Sequence, residues 1–389
     1  MRSVKSFFRT IPAGLRKDFV ARHAAELADA VDWNDTDPAI CSSLNEAYSA
    51  SARSLQQQIQ SDVERIMALA NEPGEAAMRA VAEADPLEGL PGNAARALWL
   101  FVHDPVHFRR AEDIRYTDER RRGRMWDGFE GPPDRPLGVD PDALDRLKTL
   151  LREQFGWEKV HIEVFERSRI GSEDETFHLL QTTIYREGWP DQVREFVGEN
   201  LEERSRRPVY EAAITYEPKS GSLEVVANEK KVREDLASLF CTELLSAPFG
   251  QEKLKPRRYD LDVLRTAQGF PVDAEDRIDS VRVSMLRLMP MNTAEERLVL
   301  ETLSGAKETV WELAERLGPG DPLRGPWVIT QARLSIKFQS EPGQGRGPTL
   351  PITITMPHGC DLKDRTPRER RVGEEYLARW GLLENVGAP

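Results

Sequence analysis

The sequence contains few of the residues that build disulfide scaffolds or metal sites. Its three cysteines lie far apart and none has CxxC spacing, which argues against a disulfide framework and a zinc ribbon. Scarce cysteine fits a reducing compartment, and we expect a cytoplasmic protein. The longest apolar run, ALWLFV at 97–102, is much shorter than the roughly 20 residues of a transmembrane helix, so we expect no membrane association.

Signature motifs of several enzyme classes are absent as well. GxxxxGK[ST], GxSxG and HExxH do not occur, which argues against a P-loop NTPase, an α/β-hydrolase and a zinc metalloprotease. The segment GQGRG at 343–347 lies between two predicted strands and opens no helix, so it is not a dinucleotide-binding fingerprint. We therefore expect no cofactor, and the sequence alone does not decide whether the protein is an enzyme.

The overall charge is acidic. Charged residues make up 31% of the 389 residues and the formal net charge is -12. Because non-specific nucleic-acid binding needs a positive surface, this balance argues against a protein that coats nucleic acid. Hydrophobic residues make up 39%, enough for the cores of two or three domains. Abundant arginine and alanine favour a bacterial origin with a GC-rich genome.

Residue periodicity predicts an α+β protein with a helical domain at 1–156 and an α+β domain at 157–290. The helical domain closes with DPDALDRLKTLLREQFG, where Asp140 is a suitable N-cap and Gly156 a suitable stop. VHIEVF at 160–165 then alternates with a period of two, and 209–227 forms a hairpin pattern around PKSGS. The central domain is therefore expected to contain an antiparallel sheet.

The third domain, 291–389, is predicted to combine a helix pair with a β-hairpin. TAEE at 293–296 and TVWE at 309–312 have the spacing of helix capping boxes. ARLSIKF at 332–338 and LPITITM at 350–356 alternate as strands. A third capping box, TPRE at 366–369, starts the final predicted helix.

The segment EERLVLETLSGAKETVWELAERLG at 295–318 resembles the first two helices of a helix-turn-helix, and the hairpin after it resembles the wing of a winged-helix domain. This resemblance covers about a quarter of the chain and implies DNA binding. However, PGDPLRGP at 319–326 occupies the place of the recognition helix, and three prolines prevent a helix there. Basic residues on and near the predicted wing are the candidate nucleic-acid or anion contacts: Arg324, Arg333, Lys337 and Arg346.

Arginines are concentrated around an aromatic pair in DERRRGRMWDGFEGPPDRP at 118–136. From Phe108 to Glu130 there are seven arginines and six carboxylates, a difference of one positive charge. This balance favours salt-bridged docking over a nucleic-acid groove. We expect the segment to fasten the helical domain to the sheet domain or to a partner. Its predicted anchors are Arg122, Arg124, Trp126 and Phe129.

Two weaker patterns suggest metal chemistry. Glu224 on a predicted strand, followed by Glu229 and Lys231, has the E…E-x-K spacing that can hold Mg²⁺ and a water in a nuclease. His358, Cys360 and Asp361 offer mixed nitrogen, sulfur and oxygen ligands for zinc. The first pattern is explained without a metal if Glu229 interacts favourably with the N-terminus of a helix that follows it. The second is explained by a tight turn at Gly359.

These patterns together favour a non-catalytic interaction component of a bacterial multi-protein assembly. We expect a protein partner, with contact to nucleic acid through the C-terminal domain as a further possibility. The first alternative is a DNA-binding regulator with a winged-helix-like domain. The second is a metal-dependent hydrolase of the nuclease type.

Overall fold

A computed structural model of the chain combines helices with antiparallel sheets, so the mixed α+β class is confirmed. It divides into two compact units, 1–169 with 176–253, and 170–175 with 254–389. The residues that the structure describes are 4–82, 85–121, 125–170, 176–197, 199–254, 257–292, 296–303, 305–340 and 347–384.

Helices form the N-terminal part of the first unit, as the spacing of apolar residues predicts. Their shared core includes Phe7, Phe19, Leu44, Ile66 and Phe101. The helices are α1 (Val4–Thr10), α2 (Ala13–His23), α3 (Ala25–Asp29), α4 (Asp37–Ala50), α5 (Arg53–Leu69), α6 (Glu72–Val81), α7 (Asp85–Glu88), α8 (Gly92–His103) and α9 (Pro105–Arg121).

The first unit also contains a five-stranded sheet with the order β1-β7-β6-β3-β2. Its strands are β1 (Trp126–Glu130), β2 (Val160–Ile170), β3 (Thr176–Glu187), β6 (Val209–Glu217) and β7 (Ser222–Val226). The two helices α10 (Pro141–Phe155) and α11 (Lys230–Leu244) cover one face through an apolar core. The opposite face is largely polar and lies against α9.

A separate two-stranded ribbon, β4 (Asp191–Val197) and β5 (Asn200–Arg206), is inserted between β3 and β6. We call this ribbon the β-arm. Its strands pair antiparallel from Asp191↔Arg206 to Val197↔Asn200. The sequence did not predict the β-arm.

Local signals explain why several predicted elements form. Asp140 accepts a hydrogen bond from the amide of Ala143 at the start of α10, and Gly156 ends that helix with a φ of 67°. The hairpin predicted around PKSGS is formed by β6 and β7, paired from Ala213↔Val226 to Glu217↔Ser222. These two predictions are confirmed.

The second unit contains a five-stranded sheet with the order β12-β11-β10-β8-β9. Its core includes Leu286, Leu334, Ile352, Tyr376 and Leu377. Its elements are β8 (Ile278–Pro290), β9 (Leu298–Glu301), α12 (Val310–Glu315), β10 (Trp327–Phe338), β11 (Thr349–Thr355), β12 (Gly359–Cys360) and α13 (Pro367–Arg379). The capping boxes predicted at Thr309 and Thr366 both form.

The predicted helix after the capping box at 293–296 is wrong. Residues 298–301 form β9, which pairs with β8 through Leu288↔Leu298 and Leu286↔Leu300. Leu300 is buried and Val299 is exposed, so the side chains alternate with the period of a strand. Residues 293–295 lie outside the described residues. The described part of 291–318 therefore contains α12 but not the helix pair that the winged-helix resemblance implies.

The strand β8, which the sequence analysis assigns to the central domain, is paired with β10 from Pro290↔Trp327 to Ile278↔Phe338. It therefore lies in the same sheet as the residues after 290. The N-terminal helices and the first sheet belong to the same compact unit.

Every helix in the described part of the chain falls short of the length and apolar character that a bilayer crossing requires.

Candidate functional site

The polar face of the first sheet contains a cluster of buried charges beneath α9. Glu224 on β7 alternates with Leu223 and Val225, which pack in the core beneath α11, so its side chain points to the opposite face. Its relative exposure is 7%. Arg169 donates two hydrogen bonds to the Glu224 carboxylate, at 3.1 and 3.0 Å, and Arg121 at the end of α9 forms a second ion pair with it.

Asp118 on α9 is the second carboxylate of this cluster. It accepts a hydrogen bond of 2.8 Å from Arg167 and lies 3.6 Å from Arg169. Arg167 also donates to the side chain of Gln181 at 2.9 Å. The cluster of Asp118, Arg121, Arg167, Arg169 and Glu224 therefore links α9 with strands β2 and β7, and Gln181 extends it to β3.

The arginines keep both carboxylates of the cluster ionised. Burial by itself raises the pKa of Glu224, but Arg121 and Arg169 outweigh burial and lower the pKa to about 2. Burial opposes ionisation of Asp118 too, yet Arg167, Arg169 and Arg121 hold its pKa well below the usual range. A carboxylate in this state is neither a proton donor nor a general base near neutral pH.

A third buried acid, Asp113 on α9, has a pKa that is raised instead of lowered. Burial raises the pKa of Asp113 to about 7, against the effect of a hydrogen bond that Tyr185 donates to it. The nearby carboxylates of Glu211, Glu163 and Glu112 raise the pKa further. Asp113 thus carries a proton that it can exchange near neutral pH, and Tyr185 on β3 fixes its orientation.

The predicted nuclease residues do not assemble into one site. The Glu224 carboxylate is occupied by two arginines on the face toward α9. Glu229 precedes α11 and forms an exposed ion pair of 3.0 Å with Arg186. Lys231 is exposed on the first turn of α11. No carboxylate pair open to a metal ion is formed by these three residues.

The predicted zinc ligands are also directed to separate partners. The Nδ1 atom of His358 lies 3.0 Å from the carbonyl oxygen of Arg257, and Asp361 accepts a hydrogen bond of 2.7 Å from the amide of Thr353. Burial raises the pKa of the Cys360 thiol, which disfavours the thiolate that binds zinc. In the described ranges, these ligand atoms do not come together as a group that could hold an ion.

Another acidic group, Asp273, Asp276 and Glu375, has carboxylate oxygens within 4.8 Å of one another. Arg379 forms ion pairs with Asp273 at 2.7 Å and with Glu375 at 3.3 Å. Tyr376 donates a hydrogen bond to Asp276. Because protein groups already contact all three acids, we interpret this cluster as a structural contact between α13 and residues 273–276.

Three of the four predicted anion contacts are exposed and paired with acids. Arg333 lies 3.1 Å from Glu301, and Lys337 lies 2.7 Å from Asp279. Arg324 lies 3.3 Å from Asp321 and 3.7 Å from Glu315. Arg346 lies outside the described residues. These pairs neutralise the cations that a phosphate would contact, and their role in binding stays a prediction.

Two of the predicted anchors, Trp126 and Phe129, lie on β1, at the edge of the first sheet. Phe129 is buried in the core beneath α10 and α11. Trp126 is half-buried, with the Arg121 guanidinium 5.6 Å from its ring centre. Arg122 and Arg124 lie outside the described residues. Within the first unit, these contacts join the end of α9 to the sheet, and a partner contact stays a prediction.

The most exposed apolar side chains of the first unit lie on the β-arm or next to it. Every residue of β5 is exposed. Phe196 and Leu201 are opposite each other near the tip, and Phe196 is 63% exposed. Trp189, which is 82% exposed, and Val209 flank the base. Such a group on a surface ribbon is typical of a protein interaction site.

No protein-family model, no curated protein and no solved structure matches this chain.

Proposed function

We propose that this protein is a non-catalytic interaction component of a multi-protein assembly and that it binds a protein partner through the β-arm. The observation that carries the proposal is the exposure of the whole β5 strand together with apolar side chains at both ends of the β-arm. Phe196 and Leu201 lie at the tip, and Trp189 and Val209 at the base.

A ribbon such as the β-arm gains stability when a partner covers it. An isolated two-stranded hairpin is marginally stable, and its unpaired edges attract further strands. Complete burial of one large apolar side chain contributes about 1.5–3 kcal/mol. A partner that covers Trp189 and Phe196 would therefore supply much of the free energy that the ribbon lacks by itself.

The buried cluster beneath α9 supports a structural role for the rest of the first unit. Arg121, Arg167 and Arg169 each contact a carboxylate, and both carboxylates have lowered pKa values. These groups hold α9 on the sheet and are not free to bind an anion or to transfer protons. The balance of charges thus favours contact between polypeptide segments over catalysis.

The test is site-specific crosslinking in the cells that naturally make the protein. A photoreactive phenylalanine analogue replaces Phe196 in one variant and the exposed Glu153 of α10 in a control. We expect a discrete crosslinked protein from position 196 and none from position 153. Equal adducts from both positions, or none from position 196, would contradict the proposal.

A further inference from the structure

We infer that the partner of the β-arm is a second copy of this chain, with the two arms paired antiparallel along β5 in a four-stranded sheet. This inference rests on the proposed function, because it names the partner of the same surface. Three features support a second copy as the partner: the order of charges along β5, one unfavourable pair within the β-arm, and the positions of its apolar ends.

Charges along β5 are separated by sign. Glu202 and Glu203 lie in the half near the tip, and Arg204 and Arg206 lie in the half near the base. Two copies of β5 that run antiparallel place the acidic half of each against the basic half of the other. A parallel arrangement would place like charges together, which is unfavourable between neighbouring strands. The order of charges along β5 therefore favours the antiparallel over the parallel orientation.

One cross-strand pair within the β-arm is unfavourable. Glu202 lies directly opposite Glu195, and like charges in this position destabilise a ladder. Arg204 compensates the charge of Glu195 by forming an ion pair of 3.5 Å with it. A two-fold axis between the two Arg204 residues places Glu202 of each copy opposite Arg206 of the other. The second copy thus supplies the opposite charge that Glu202 lacks on its own ladder.

The apolar ends of the β-arm match in the same arrangement. Phe196 and Leu201 mark the tip, while Trp189 and Val209 flank the base, and the strands between them span about 20 Å at 3.4 Å per residue. Antiparallel overlap brings the tip of each arm to the base of the other. Leu201 of each copy then lies near Val209 of the other at the two ends of the shared sheet, with the Glu202–Arg206 ion pairs between them and the two Arg204 side chains at the centre.

Charged residues on an edge strand often prevent association with other strands. That effect requires charges that repel the incoming strand, and the charges of β5 sum to zero, with Glu202 and Glu203 against Arg204 and Arg206. In the antiparallel orientation Glu202 of each copy meets Arg206 of the other, and among these charged residues only the two Arg204 side chains at the axis meet a like charge. The acidic net charge of -12 opposes association of whole chains, but salt screens charges that lie far apart.

The test uses the full chain and two charge-reversal variants, E202R/E203R and R204E/R206E. Each variant has a β5 strand of a single sign, so two identical copies repel each other. We expect sedimentation velocity to show a concentration-dependent dimer for the wild type. The dimer dissociation constant of each variant should rise at least about tenfold. An equimolar mixture of the two variants should restore the dimer, because opposite strands then meet.

A matched control is E153R/E158R, which changes the net charge as E202R/E203R does, at two exposed positions outside the β-arm. It should leave the dimer intact, and circular dichroism should show every variant folded. A wild-type monomer at all concentrations overturns this inference, as does a mixture of the two β5 variants that stays monomeric. If a different protein is then crosslinked from position 196, the proposed function still stands. If nothing is crosslinked there, both fail.

Discussion

Tyr185 on β3 donates a hydrogen bond of 2.7 Å to Oδ1 of Asp113 on α9. Asp113 is 5% exposed, and its Oδ2 atom has no hydrogen-bond partner among the described residues. Burial raises the pKa of this carboxyl to about 7. The contact between α9 and the first sheet therefore includes an acid that changes charge near neutral pH, beside a cluster that stays ionised.

We expect the free energy of unfolding to decrease as pH rises from about 4 to about 7. In this range folded Asp113 keeps its proton, whereas the unfolded chain releases it, so the native state binds more protons and loses stability as pH increases. The difference in pKa corresponds to an effect on the order of a few kcal/mol. Asp113→Asn should remove this decrease and raise the stability at neutral pH. Urea unfolding at a series of pH values measures both effects.

The control for this prediction is Glu153→Gln, which neutralises an exposed carboxylate of α10. Its stability should follow the wild-type pH dependence. An Asp113→Asn variant with the same pH dependence as the wild type would show that Asp113 is ionised throughout.

Glu224 should show the opposite dependence on pH. Its lowered pKa means that the stability contributed by the carboxylate is present above about pH 4.5 and is lost as pH falls toward 2. Glu224→Gln leaves Arg121 and Arg169 without this buried counter-charge, and we expect a loss of about 3–5 kcal/mol at neutral pH. Chemical denaturation measures the loss.

A surface ion pair gives the matched comparison for Glu224. Glu229→Gln removes an exposed pair with Arg186 and should cost less than about 1 kcal/mol. Similar losses in the two variants would mean that the cluster beneath α9 is screened by solvent and does not hold the helix on the sheet.

The sequence predicted those elements whose signals are local. The helix α10 follows from Asp140 at its N-cap and Gly156 at its end, and the β6–β7 hairpin follows from a turn between alternating segments. The strand β9 was missed because its conformation depends on pairing with β8, which lies outside the window of a capping pattern. The β-arm was missed because β5 is highly charged and lacks alternating apolar residues.

The buried cluster could be predicted only in part. Glu224 was predicted only as a candidate metal ligand beside Glu229 and Lys231. Its partners Arg121 and Arg169 were missed because they are distant from it in sequence. Arg167 and Arg169 occupy alternate positions of β2, and charged residues at alternate positions of a strand are the signal that could have indicated a buried network. Pairing of distant charges requires the fold itself.

At protein concentrations low enough for the chain to be monomeric, the β-arm should be the first site of tryptic cleavage in the first unit. Arg194, Arg204 and Arg206 are exposed on a ribbon with two free edges, whereas Arg167 is buried in the core cluster. We expect an early product cut between 194 and 207, with circular dichroism nearly unchanged. Mass spectrometry of a limited digest identifies the sites. Earliest cleavage within α9 or the first sheet would contradict an exposed arm.

Gly221 in the β6–β7 turn should not tolerate a side chain. Its φ is +75°, and a Cβ atom would lie 2.3 Å from the carbonyl oxygen of Gly131 and 2.8 Å from the amide nitrogen of Pro133. The Gly131 amide also donates to the Gly221 carbonyl at 2.9 Å, so this turn positions the segment after β1. Gly221→Ala should lower the free energy of unfolding by about 2 kcal/mol or more. Gly14→Ala, in the open first turn of α2, should be neutral or raise it by about 0.5–1 kcal/mol. Because the two substitutions should change the free energy of unfolding in opposite directions, they separate steric exclusion at Gly221 from a general effect of alanine. Equal effects of the two substitutions in thermal denaturation would contradict the close approach of Gly221 to Gly131.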